Sequence, residues 1–143
     1  MKPTAIHRWS RLDRSKRILL VEAIGAVCVA SLAVKLLPFK AAIRLGSRAS
    51  VPACSTSRAD VLSGVRWAID AATRNLPWNA VCIHRGLATQ WMLRRRGIDA
   101  RLHYGLAKDD EKALRAHVWV DALGETLVGG DEAGDYVRVA TFP

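Results

Sequence analysis

Cysteine is scarce: Cys28, Cys54 and Cys82 are the only three in 143 residues. So few cannot build a disulfide framework, and without a Cys-x-x-Cys pair there is no signature of a zinc knuckle or a dithiol redox site. A reducing compartment fits such a chain. No Gly-rich phosphate loop is present, so nucleotide binding is not assigned to it. Low-complexity stretches are missing too, and with half the residues apolar and 24% charged the chain is neither disordered nor collagen-like. Its length suits one domain with a real hydrophobic core.

Acidic residues are what the N-terminal third lacks. Residues 1–48 carry ten Lys and Arg against Asp13 and Glu22, whereas residues 49–143 carry twelve basic side chains against eleven acidic ones. The net charge of +9 therefore belongs mostly to one end. A nucleic-acid-binding domain would spread its excess over one folded face, so no nucleic-acid partner is expected. A leader, a membrane surface or an acidic partner suits the basic end equally well.

The run from Ile18 to Leu37 is apolar except for Glu22, Ser31 and Lys35, and Pro38 stops it. About 20 apolar residues suffice to cross a bilayer, but a charge at mid-membrane costs at least ~2.5 kcal/mol. No small-x-small cleavage site marks it as a signal peptide. The expectation is a helix packed into the core or onto a partner, with membrane contact kept open. Residues 1–48 then form a basic helical segment ahead of a folded core over 49–143.

Residues 46–57 (GSRASVPACSTS) are small and polar and predict a loop. A helix is expected from about Asp60 to Asn75, capped by Ser57 or Asp60, with Val61, Leu62, Val65, Ile69 and Ala72 on one face. Asn79 suits the N-cap of a second helix from about Ala80 to Arg96, whose arginine-rich end reads as solvated. Gly97 suits the left-handed position after it. Beyond Gly97 the period changes from 3.6 to 2. Strands are expected at Ala100–Leu106, Ala116–Asp121, Glu125–Gly129 and Tyr136–Phe142. Helices followed by a strand meander predict an α+β fold with an antiparallel sheet.

Cys82 is the cysteine placed for chemistry. With Asn79 as cap it is the third helical residue, where the peptide dipoles favour a thiolate. Such a nucleophile needs a base, and the base an orienting group. His7 lies in the basic opening, His84 is turned from Cys82 on the same helix, and His103 falls beside Arg101 on what reads as the wet face. His117 heads a strand whose alternate residues bury, which makes it the candidate base. Asp121 shares its face but lies about 13 Å along the strand at ~3.3 Å per residue. A hairpin centred on Gly124 puts Asp131 directly opposite His117 instead, with Asp135 as the fallback. Trp78 and Trp119 flank this constellation.

The stretches CIHRGLATQWMLRRRGIDARLHYGLA, AHVWVDALGETLVGGD and YVRVATF resemble the B-type leader peptidases of lasso-peptide biosynthesis, within the transglutaminase-like Cys-His-Asp superfamily. The similarity is clearest from Pro77 to Phe142. Val118 and Asp121 stand where that family usually has Ala and Glu. The resemblance implies a transglutaminase- or papain-like core with Cys82 as nucleophile at a helix N-terminus, His117 as general base and Asp131 as orienting residue. It implies a cytoplasmic cysteine peptidase that frees the core of a ribosomally made precursor for a lactam synthetase. Residues 1–48 lack the strand alternation of a winged-helix leader-recognition domain, so a separate protein would supply leader capture, and any ATP dependence would lie with the synthetase. The alternatives are a non-catalytic precursor-binding scaffold of the same shape and an acyl transferase using the same three residues.

Overall fold

A computed structural model describes residues 9–46, 57–111 and 113–143. Cys54, His7 and most of the expected 46–57 loop lie outside the described residues. Helix α1 spans Arg14–Leu36. Asp13 caps it by accepting from the Lys16 backbone N–H at 2.7 Å, and Pro38 follows the extended C-cap Leu37. Its buried stripe of Leu20, Ala23, Val27, Ala30 and Ala33 is mostly small, which lets α1 approach its neighbours closely. Those neighbours are α3 (Arg58–Asn75) and α4 (Cys82–Arg94).

The short helix α2, Phe39–Gly46, follows Pro38 within the segment expected to be helical. It buries Ala42 and Ile43, and the Pro38 carbonyl accepts from the N–H groups of Ala41 and Ala42. Helix α3 begins two residues before its expected start and buries Leu62, Val65, Ala68, Ile69 and Ala72. Gly97 takes φ 72° after α4, as its position suggested, and the Ile98 N–H closes the end onto the Leu93 carbonyl.

Four strands follow, β1 (Ala100–Lys108), β2 (Leu114–Ala122), β3 (Glu125–Val128) and β4 (Val137–Phe142), with a one-turn helix α5 (Gly130–Ala133) before the last. The sheet is antiparallel, so the α+β architecture is the expected one. Its order is β3-β2-β1-β4: three strands meander, and the fourth returns to the far side of β1. Leu123 and Gly124, both at positive φ, make the two-residue turn between β2 and β3. Val118, Val120 and Leu102 face α4, whose Gly86 comes so close that a Cβ there would lie 2.7 Å from Val118 Cγ1. Helices on one face of one sheet enclose the core.

Candidate active site

Cys82 is the first residue of α4, with Val81 as an extended N-cap. The helix therefore starts two residues later than its sequence suggested. Asn79 does not cap it; the Val81 carbonyl accepts from His84 and Arg85 instead, and Asn79 lines a cleft. The first-turn placement of Cys82 is kept. Cys28 lies in the apolar α1.

His117 is buried near the start of β2. Its Nε2 lies 2.8 Å from the Gly129 carbonyl oxygen. A carbonyl only accepts, so Nε2 carries a proton, and Nδ1 is the nitrogen left to act as a base in the neutral ring. Tyr136 stacks on the ring at 5.0 Å between centroids and Trp119 at 6.2 Å. Gly129 must be glycine here. Its φ is +76°, and a Cβ would meet the Val118 carbonyl oxygen at 2.5 Å and His117 Nε2 at 3.1 Å.

Asp131 is not on a strand opposite His117. Beyond a bulge between Val120 and Asp121 the register, Val120 with Val128, would allow that pairing, but β3 stops at Val128 and left-handed Gly129 turns the chain into α5. Asp131 sits exposed in that one-turn helix, two residues beyond the carbonyl that holds the imidazole. Asp135, the fallback, is also exposed.

A cleft of about 690 Å³ nevertheless brings the three together: Cys82, His117 and Asp131 all line it. The consecutive β2 residues Arg115, Ala116 and His117 line it as well, so it takes in both faces of the sheet at this end of the strand. That matters because His117 shares the face of Trp119, whereas α4 packs against the alternate residues. The imidazole therefore does not lie beneath the helix: His117 lines the cleft from the strand's end and Cys82 lines it from the start of α4. Arg66 and the ion pair of Asp70 with Arg85 form the α3–α4 wall.

A model of the transglutaminase-like superfamily matches residues 24–141. The chain belongs to the transglutaminase-like superfamily. Its match begins inside α1 and runs through β4, so helices and sheet are both part of it. This superfamily contains Cys-His-Asp hydrolases and acyl transferases, which makes a cysteine protease or acyltransferase the activity class suggested for the chain. No curated protein and no solved structure matches it.

Several features of this transglutaminase-like site escaped sequence reasoning. His103 is only 4% exposed rather than on a wet face. Its Nε2 lies 3.1 Å from Asp121 Oδ2, and its Nδ1 lies 2.8 Å from Thr141 Oγ1. Burial holds the ring below the ordinary imidazole value and outweighs the opposite pull of Asp121, with Arg138 and Arg101 acting alongside burial. A neutral ring donating to Asp121 and accepting from Thr141 satisfies both nitrogens. Trp119 lies tilted against this ring at 5.5 Å between centroids, so His103, Trp119, His117 and Tyr136 form one row of rings. The alternation His103, Gly105 and His117, Trp119 already placed these residues on one face; what lacked a signal was the cover that buries them. Trp78 is exposed, and neither it nor Trp119 is among the described residues lining the cleft. Arg96 is not a solvated end but a two-pronged partner of Glu22, at 2.6 and 2.9 Å. Among the described residues no group of three His, Cys, Asp or Glu side chains is placed to hold a metal ion.

Proposed function

We propose that this chain is a cysteine peptidase that removes the leader from a lasso-peptide precursor, with Cys82 as nucleophile, His117 as base and Asp131 as an auxiliary carboxylate. The observation that carries the reading is the shared cleft, where a first-turn cysteine and a histidine with one committed nitrogen face the same space. His117 Nδ1 takes the Cys82 thiol proton, and the thiolate attacks the carbonyl of the last leader residue. The tetrahedral oxyanion is stabilised by the Cys82 backbone N–H at the start of α4. His117 returns the proton to the departing core amine, then deprotonates the water that hydrolyses the acyl-enzyme. The freed amine is the group a lactam synthetase needs. Leader capture is assigned to a separate winged-helix protein, and ATP dependence to the synthetase.

The test is precursor cleavage followed by mass spectrometry, with the precursor, leader-recognition protein and synthetase of the same system present. Cys82→Ala and His117→Ala abolish cleavage while circular dichroism shows an intact fold. Asp131→Ala retains part of the activity, because the Gly129 carbonyl still holds the ring. Cleavage by Cys82→Ala refutes the mechanism. A leader conjugate instead of free leader and core reassigns the chain as an acyl transferase. Precursor binding without cleavage, and without selective alkylation of Cys82 by iodoacetamide, reassigns it as a scaffold.

A further inference from the structure

Helix α1 has two apolar faces, and the fold uses one. The unused face presents Ile18, Val21, Val29, Leu32 and Leu36, each between 52% and 76% exposed, with Gly25 exposed among them. Their spacing of three and four residues makes a continuous stripe. A largely apolar groove of about 500 Å³ adjoins its middle, lined by Gly25, Ala26, Val29, Leu45, Trp91 and Met92, with Glu22 and Arg95 as its charged members. Phe39 and Leu45 extend the exposed apolar surface onto α2.

Charge selects the occupant. Exposed Arg11 and Arg14 stand at one end of the stripe, and exposed Lys35, Lys40 and Arg44 at the other. Across the described residues 9–46 the acidic side chains are Asp13, spent on the cap, and Glu22, paired with Arg96 and within 3.8 Å of Arg95. A second copy of this chain would bring basic ends against basic ends in either orientation. A surface of anionic lipid complements both ends at once.

We propose that this face of α1 and α2 docks flat on an anionic lipid bilayer, with the apolar stripe seated at the headgroup–acyl boundary. By length and hydropathy α1 would suffice to cross a membrane. Spanning would extract Glu22 from its arginines and Leu20, Ala23, Val27 and Ala30 from the core, so the helix lies along the surface. This mode of attachment gains from apolar burial and from anionic headgroups together.

The full chain is sedimented with vesicles of phosphatidylglycerol mixed with phosphatidylcholine, and with vesicles of phosphatidylcholine alone. It binds the mixed vesicles, and each of Lys40→Gln and Arg44→Gln weakens binding about fivefold. Leu32→Glu, at a solvent-exposed site, weakens it tenfold or more without altering the thermal melt, and alkaline carbonate releases the wild-type chain. Equal binding to both vesicle types, unchanged binding by Leu32→Glu, or carbonate-resistant insertion overturns the proposal. So does a lipid-free dimer in analytical ultracentrifugation that Leu32→Glu dissociates, which would assign the face to a second copy.

Discussion

Replacing Gly129 with alanine tests the link between the fold and the candidate site most directly. Two costs arise at this position. A left-handed φ of +76° is unfavourable for any L side chain, by about 1–2 kcal/mol. The new methyl also sits 2.5 Å from the Val118 carbonyl oxygen, a backbone atom that cannot swing aside as a flexible side chain would. Overpacking of this kind adds about 1–3 kcal/mol. Gly124 separates the two: its φ is +84°, yet a Cβ there meets nothing within 4 Å. Urea melts should show Gly124→Ala destabilised by about 1–2 kcal/mol. Gly129→Ala should lose roughly 2–5 kcal/mol, the added clash being the difference. Because the Gly129 carbonyl holds His117 Nε2, the second variant should also lose precursor cleavage under conditions where it remains folded. Equal destabilisation by the two substitutions would refute the close approach of β3's end to β2 on which the imidazole's placement rests.

Four further outcomes follow from the structure. Because burial lowers the folded value of His103 below the usual 6.5, its stabilising share is complete above that value and fades as pH falls through it; the unfolded chain then binds a proton that the folded one refuses. His103→Gln should flatten the fall in urea midpoint between about pH 7 and pH 5, leaving the slope from His84, also lowered by burial. Hydrogen bonding from Arg96 holds Glu22 below its usual 4.5, so stability present above that value is lost below it, and Glu22→Gln should remove this acid limb. A double-mutant cycle on Glu22 and Arg96, whose side chains are 20% and 26% exposed, should return a coupling of about 1.5–3 kcal/mol in thermal or urea melts. Gly86→Ala should cost about 1–3 kcal/mol and be partly rescued by Val118→Ala, since the clash is with a Val118 methyl.

Local signals carried the elements well. Pro38, Pro77 and Gly97 punctuate the helices where they stand in the chain, and the change of period after Gly97 marks the sheet. What they could not carry was any feature decided by two segments meeting. Asn79 is a good cap by residue type, but the structure uses it on the cleft wall, so α4 starts at Cys82. His103 looked wet because Arg101 is its neighbour in sequence; its burial depends on Trp119 and on β4, whose Thr141 lies across the sheet. The return of β4 to β1 has no signature in the strand itself. Arg96 looked solvated because its partner is 74 residues away.

The Asp131 expectation shows how the conformation of a single residue decides which group meets an imidazole. Counting from a hairpin centred on Gly124 pairs 117 with 131, and the register beyond the bulge, Val120 with Val128, follows that count. The count is off by one at the turn, where Asp121 pairs with Thr126 and Ala122 with Glu125, and the bulge brings it into step at Val120, so the 117–131 pairing does not fail on register. It fails only because Gly129 adopts a left-handed conformation and ends the strand, which puts a backbone carbonyl where a carboxylate was expected. A carbonyl can fix the tautomer and direction of an imidazole as a carboxylate does, but it carries no full charge to stabilise the imidazolium. The imidazole at this site is thus held by the fold itself. Any electrostatic help from Asp131 has to come from its place on the cleft wall, which is why removing that carboxylate should blunt the chemistry and removing the glycine should dismantle it.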